Sequence, residues 1–452
     1  MKKQSVSKSK PSKQALNEFT VINANAAGID ISSKDYVVSV PPDRDKNSIR
    51  IFGAFTCDLQ EIAQWLLACG ITTVAMESTG IYWKQLFVVL QEHGLEVFLV
   101  NSRHVKNVTG KKTDEQDAHW IMRLHTCGLL TNSFQPGERV RTLRELLRHR
   151  KSLNKSKTIA VNLMTKALNT MNIKLNIVLS DLTSASCQKI VQAIVSGERE
   201  PKKLITLVHH KVKASREDIL KALEGVWREE CLFELKQAYD HYQFLQNQTI
   251  ECDKKIESQL ELIVAEVNQG DITGIKEEAK KKTSRKNELS FNPAPYLKAI
   301  LKTDICQVPG ISDETALTMY AETGGNLSGF KSAIHYVSWI GLAPNNKISG
   351  GKIISSHLPK KKHPLKTALI HAANSLYRSD NPLGDCFRRL KARIGPKAAK
   401  CAMARKLAVI LYQMIINQKM FDVSVFEQHQ KHYKEKRIKA LQKQLDELLA
   451  VA

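Results

Sequence analysis

The sequence predicts an α/β domain followed by mainly helical segments, an architecture of α/β plus α. Three observations predict it. Short β-rich runs alternate with helical periodicity over the first 135 residues, long charged stretches of helical period fill the middle, and helix after helix punctuated by Gly and Pro closes the chain. Two acids three residues apart, Asp114 and Asp117, stand at the start of one helix, and the rest is organised around them.

Residues 1–20 are a basic, flexible lead rich in Lys and Ser, without the apolar stretch of a secretion signal behind it. In the domain at 21–135, residues 26–32 form an apolar run that ends around Asp30. Residues 36–40 and 49–55 read as two strands parted by Pro41, Pro42, Asp43 and Asp45, which suggests an antiparallel meander. A helix over 59–69 stops at Gly70, and a strand over 72–76 carries Glu77 at its C-terminal end, before the turn residues Ser78, Thr79 and Gly80. A helix over 81–93, a strand over 95–100 and a helix from Asp114 to about His125, N-capped by Thr113, complete the set.

In such α/β orders ligands gather at strand ends. Asp30 and Glu77 lie there, and Asp114 and Asp117 share one helix face, so four carboxylates can converge on one pocket. Hard oxygen ligands suit Mg²⁺ or Mn²⁺, and two such ions about 3.5–4 Å apart serve phosphoryl transfer. Taken singly, each acid reads more simply as a turn residue or a partner of the helix dipole.

The segment 136–265 is helical, a helical hairpin or coiled-coil arm. Within it Arg141, Arg144, Arg148, Lys151 and Lys155 recur at spacings of three and four, with Leu143, Leu147 and Leu153 suggesting an apolar face. The cationic stripe suits a phosphate backbone and equally a solvated helix surface. A basic linker over 266–295 carries Gly270, Gly274, Lys280, Lys281, Lys282, Arg285 and Lys286. The domain at 296–420 opens with a helix, a turn at Val308-Pro309-Gly310-Ile311 and a second helix, similar to the helix-hairpin-helix unit that holds a DNA phosphate without reading sequence. Residues 345–352 read as a loop containing Ser349 and Lys352, followed by Lys360, Lys361 and Lys362, then helices over 365–377, 382–394 and 398–417. A Ser-Gly pair in a loop is normally a turn, and the sequence shows no His or Lys to activate Ser349. In the last segment, 421–452, Ile438, Leu441, Leu445 and Leu448 form an amphipathic seam that packs on the body or pairs with another subunit.

Charge narrows the function. The 452 residues hold 68 Lys+Arg against 45 Asp+Glu, a formal net charge of +23 that favours a polyanionic partner. No run is long and apolar enough for a membrane span, and nine scattered cysteines without a C-x-x-C pair suggest neither a disulfide framework nor a zinc cluster. The expectation is a reduced, cytosolic protein without a membrane partner.

Read in order, GIDIS at Asp30, MESTG at Glu77, GKKTDEQDA at Asp114 and Asp117, LHTCGLL, LRELLRHRKSL, QVPGISDETA, WIGLAPNNKISGGK and ARKLAVILYQM resemble one family, the DEDD-type transposases of the insertion-sequence group IS-one-ten, especially the IS-eleven-eleven branch. The resemblance implies an N-terminal RuvC-like domain of RNase H-like fold whose DEDD carboxylates, here Asp30, Glu77, Asp114 and Asp117, hold a divalent metal. It implies a C-terminal transposase domain in which a serine, here Ser349 following Pro344, attacks DNA and forms a covalent phosphoserine link, the metal site being supplied by the other domain of a partner subunit. It further implies dimers or tetramers acting on donor and target DNA, guided by a non-coding bridge RNA, in a bacterial cytoplasm and at the nucleoid when DNA is bound. The linker at 280–286 and the leucine seam lie outside the shared motifs. Two other readings compete: a metal-dependent structure-specific nuclease resembling a junction resolvase, which uses water and has no need of Ser349, and a non-catalytic nucleic-acid-binding protein.

Overall fold

Apolar and β-branched residues from Ala26 onward form the strands of a five-stranded sheet: β1 (Ala26–Ile31), β2 (Asp35–Ser39), β3 (Ile49–Gly53), β4 (Thr73–Glu77) and β5 (Glu96–Val100). A computed structural model describes residues 20–101, 113–179, 181–268, 273–281 and 286–449. The basic lead up to residue 19 and Lys111, Lys112, Gly270, Lys282 and Arg285 lie outside the described residues. The chain divides into two units, Met1–Gln135 and Pro136–Ala452.

In the first unit the strand order is β3-β2-β1-β4-β5. β1, β2 and β3 pair antiparallel, whereas β1–β4 and β4–β5 are parallel, so the sheet is mixed and β1 is its centre. Helices α1 (Thr56–Ala68), α2 (Trp83–Glu92) and α3 (Asp114–Thr126) cover it. Ile29, Val74 and Met76 join Ile62, Leu66, Leu86 and Leu90 in one core. Ala75 and Val100 join Ile121 and Leu124 in another, so alternate residues of β4 bury opposite faces of the sheet. Strands buried on both sides read as continuous apolar runs, as AAGIDI and TVAME do.

The second unit is mainly helical. Its frame is α4 (Glu138–Thr170), which runs antiparallel to the 39-residue helix Glu229–Val267. Contacts fix the register along the pair: Arg139 to Glu266 at 2.6 Å, Lys157 to Gln246 at 3.1 Å and Lys166 to Glu234 at 3.4 Å. Short helices α5 (Leu175–Val178), α6 (Ala185–Val195), α7 (Pro201–Leu204) and α8 (Arg216–Leu223) precede the second long helix, α9, and close a core around Ile173, Ile190, Leu204 and Leu235. At mid-length Arg150 and Asp253 form a buried ion pair, and Arg150 also donates to the carbonyls of Asn287 at 3.1 Å and Glu288 at 2.7 Å. Two charges leave water there, so every remaining donor needs a partner, and the later part of the basic linker, at Asn287 and Glu288, is tied down in supplying them.

Helices α10 (Thr273–Glu278), α11 (Ala294–Leu301), α12 (Asp313–Thr323) and α13 (Ala333–Ile340) lead to a hairpin of β6 (Asn345–Ser349) and β7 (Lys352–His357). Then come α14 (Pro364–Ser375), α15 (Pro382–Ile394), α16 (Pro396–Asn417) and α17 (Ser424–Leu449). α16 is the spine on which α13, α14 and α15 pack, burying Met403, Leu407 and Leu411. α17 meets α15 through Arg389, which stacks 4.4 Å from the centre of the Tyr433 ring. Of the leucine seam, Ile438, Leu441 and Leu445 are exposed rather than packed on the body, and the side chain of Leu448 lies outside the description. None of the nine cysteines is in a disulfide. Among the described residues no helix is long and apolar enough to cross a membrane.

Candidate active site

β1 and β4 lie side by side, and each carries an acid toward its C-terminal end: Asp30 in the body of β1, Glu77 as the last residue of β4. Glu77 is buried and accepts a long 3.4 Å hydrogen bond from Thr79. Thr113 caps α3 by accepting from the Gln116 amide at 3.3 Å, as its sequence position predicts, and this sets Asp114, Glu115 and Asp117 in the first turn.

What brings α3 onto the sheet is Gly28. A Cβ there would lie 2.5 Å from the Ala118 carbonyl oxygen and closer still to the Met122 amide, so only a residue without one lets the helix backbone touch β1 two residues before Asp30. The sequence carries this signal as the Gly of GIDIS, whose packing role the acids alone do not reveal. The outcome is electrostatic. Asp30 is pushed up to about 6, first by burial and then by the charges of Glu77, Asp114 and Asp117. The other three acids therefore lie within Coulombic reach of Asp30, opposed only by the Ile31 amide hydrogen bond to it. Such a set of hard, mutually repelling oxygens fits a divalent cation, although among the described residues no group of three or more acids, histidines or cysteines is closed into a ligating arrangement.

Ser349 belongs to the second unit, and here the structure corrects the sequence reading. Residues 345–352 are not a loop: Ser349 ends β6, Gly350 and Gly351 make a two-residue turn with φ of 56° and 75°, and Lys352 opens β7 opposite it. Two consecutive positive-φ glycines are the chemistry of a tight hairpin turn, and the Ile residues on either side supply strand propensity. Ser349 and Lys352 are cross-strand partners on one face, and Ile348 and Ile353 on the other. All four are exposed, so the serine stands on a ribbon without a core of its own.

The candidate phosphate contacts divide. Arg148, Lys151 and Lys155 are exposed on α4 and Arg141 is half-buried, but Arg144 is buried, so the five do not line one solvent face. Alternating three- and four-residue steps keep the five within about 80° of the helix circumference, so it is the helices packed over that stretch that bury Arg144. Arg150, outside the predicted stripe, is the buried ion-pair arginine described above. Lys352, Lys360 and Lys362 are exposed. Lys361 is not free, since it donates to the Trp339 carbonyl at 2.6 Å and is pushed below its ordinary pKa by burial and by Lys366. Pro309 and Gly310 form the turn before α12, where Gly310 adopts φ 89° and its Cα is set close to α14, a Cβ there meeting the Ala372 carbonyl oxygen at 2.9 Å.

A five-stranded mixed sheet with clustered acids, joined in one chain to a helical unit, defines a DNA transposase or recombinase once two family matches are added. A family described as Transposase, the DEDD transposase of IS110, matches residues 27–173, and the Transposase IS116/IS110/IS902 family matches residues 302–387. The first match contains Asp30, Glu77, Asp114 and Asp117, and the second contains Ser349. The chain belongs to the IS110 family of insertion-sequence transposases, the group written IS-one-ten above. No curated protein is similar enough to match the chain.

Proposed function

We propose that this transposase cuts and rejoins DNA through a covalent phosphoserine intermediate, with Ser349 as nucleophile and Asp30, Glu77, Asp114 and Asp117 as the ligands of a divalent metal. The observation that carries the reading is the convergence of three acids on the electrostatics of the fourth, toward the ends of adjacent strands of a mixed five-stranded sheet, which is consistent with an RNase H-like domain. When bound, Mg²⁺ or Mn²⁺ would neutralise charge building on the phosphoryl oxygens and activate the attacking oxygen.

The chain's own residues do the rest. The Ser349 Oγ forms a bond to phosphorus as one P–O ester bond breaks, and the departing strand oxygen takes a proton. Attack on the phosphoserine by a strand hydroxyl reverses these bonds and returns the proton to Ser349, so the number of phosphodiester bonds is conserved and no nucleotide cofactor is needed. Lys352, across the ribbon from Ser349, supplies positive charge beside the phosphate, and an exposed hairpin lets a serine reach into DNA.

Arg141, Lys151, Lys155, Lys360 and Lys362, with the turn at Pro309 and Gly310, are assigned to the polynucleotide backbone. The net charge of +23 supports that assignment. Guidance by a non-coding RNA and assembly as a dimer or tetramer complete the reading, in which base pairing selects the site and the protein holds backbone.

The test is to incubate purified protein with Mg²⁺ and DNA carrying the element's ends, with and without RNA transcribed from the flanks of its gene, and to look for protein covalently attached to DNA. The expected adduct is absent in Ser349→Ala and in Asp114→Ala, and depends on the RNA. Cleavage without an adduct, undiminished by Ser349→Ala, would replace the recombinase reading with a nuclease that uses water.

A further inference from the structure

A cavity of about 470 Å³ opens within the second unit between α4, α12 and α14. Its walls include Arg144, Arg148 and Lys151 from α4, Glu322 from α12, and Thr367 and His371 from α14. Arg144 is buried, and Glu322, 4% exposed, takes hydrogen bonds of 3.1 and 3.0 Å from Arg148 Nη2 to its two oxygens. Two carboxylates, the buried Glu322 and Glu314, share the wall with Arg144, Arg148 and Lys151, and Arg150, also in the wall, is neutralised by Asp253, so a single positive charge is left over. The effect is visible at Arg144, whose guanidinium is pushed below its ordinary pKa by burial and then by Arg148, more than Glu322 and Glu145 restore.

The beginning of α14 adds a second, independent feature. Its N-cap, His363, makes no side-chain capping bond, although the helix runs for 12 residues. The His363 ring is 8% exposed, rests edge-on 4.6 Å from Trp339, and has no hydrogen-bond partner at Nδ1. Burial and then the charges of Lys361, Arg148, Arg144 and Lys366 hold it down to about 3, so it stays neutral among four cations. Pro364 and Thr367 of the same first turn line the cavity. Positive side chains and the first turn of a helix without a side-chain cap meet at one opening.

We propose that this cavity is a preformed site for a phosphodiester group of a polynucleotide backbone, held by Arg144, Arg148 and Lys151 at the start of α14. The volume falls within the range of ordinary ligand sites, and a lining without Phe, Tyr or Trp favours a phosphate over a stacked base. The proposal rests on the reading that the protein acts on polynucleotides. It adds that part of the grip lies inside the helical unit rather than on an open helix face.

Two substitutions test it without leaving a buried charge alone. Thr367→Glu puts a carboxylate at an exposed position of the wall, and the double change Arg148→Gln with Glu322→Gln removes both members of the ion pair. Fluorescence anisotropy with a labelled duplex DNA and a labelled RNA hairpin, over a series of KCl concentrations, reads affinity and its salt dependence. The expected result is binding about tenfold weaker in each variant, with the slope of log K against log salt shallower by about 0.9 on duplex DNA, and melting curves that match the unsubstituted protein. A loss confined to one probe identifies DNA or RNA as the source of the phosphate. Wild-type affinity and slope in both variants would overturn the cavity while leaving the polynucleotide reading intact. A wild-type protein that binds neither probe would overturn both.

Discussion

The acids and the serine are supported in opposite ways. Asp30 and Glu77 sit on adjacent central strands beside the buried Ile29, Ile31 and Met76, and the helix bearing Asp114 and Asp117 is locked to β1 by a backbone contact at Gly28. Ser349 sits on a two-stranded ribbon in which Ile348, Ser349, Lys352 and Ile353 all face solvent. A set of like charges must be forced together by a rigid scaffold, because nothing in the set attracts its members until a cation arrives. A lone nucleophile has no such repulsion to overcome, and what it needs is reach. A packed scaffold thus stands where charge opposes assembly, and an exposed ribbon where it does not.

The comparison breaks most sharply at Gly28. In Gly28→Val the side chain meets the backbone of Ala118 and Met122, which cannot yield as a flexible side chain would, and the expected destabilisation of the first unit is about 3 kcal/mol or more. Calorimetry should show the melting transition of that unit lowered or lost. The matching change on the ribbon, Ile353→Ser, removes an exposed side chain and should leave stability within about 0.5 kcal/mol. Equal effects from the two would show that the acids are no more tightly held than the serine.

A smaller effect concerns pH. His125, in the last turn of α3, is buried, pairs with the Thr73 hydroxyl at 2.9 Å and lies 4.6 Å from the Phe98 ring. Burial holds its pKa down to about 4. The unfolded chain therefore takes up the proton first, so this residue contributes stability that is fully present above about pH 6.5 and is lost as pH falls toward 4. Asp30 works the other way, since a carboxyl raised to about 6 relieves repulsion as pH falls. The difference between wild type and His125→Gln isolates the histidine. The melting temperature of the wild type should drop more between pH 6.5 and 4 than that of the variant, and parallel pH profiles would remove His125 from the account.

These contrasts also explain what could be read in advance. The five strands and the helices around them were legible because burial on one or two faces writes a period into the sequence, as in TVAME and LQEIAQWLLAC. Asp30, Glu77, Asp114 and Asp117 were legible as strand-end and helix-start acids, and the Thr113 cap announced the last pair. The hairpin was misread as a loop because neither of its faces is buried, so no apolar alternation against a core marks it, and the Gly-Gly pair was the available sign. The burial of Arg144 and the pairing of Arg150 with Asp253 were not legible, since they depend on which side of α4 meets α9 and α12, partners about 100 or more residues away in sequence. Gly28 occupies an intermediate position: its presence in the motif is plain, and the helix that needs it comes 90 residues later.

The smallest expected effect tests the ribbon itself. Gly350 has φ 56° and nothing within 4 Å of the place a Cβ would occupy, so Gly350→Ala meets no steric obstacle and carries only the cost of a left-handed backbone, about 1 kcal/mol. Because the ribbon is exposed and makes no core, that cost falls on the local turn and the melting temperature should hold. The turn directly follows Ser349, so a shift in its preferred shape moves the Oγ relative to the phosphate, and covalent adduct should form several-fold more slowly while DNA affinity is kept. Unchanged adduct rates would mean that DNA, rather than the turn, sets the position of the serine. The contrast with the acids would then widen: their geometry is folded into the sheet, and that of the proposed nucleophile would be completed by the substrate.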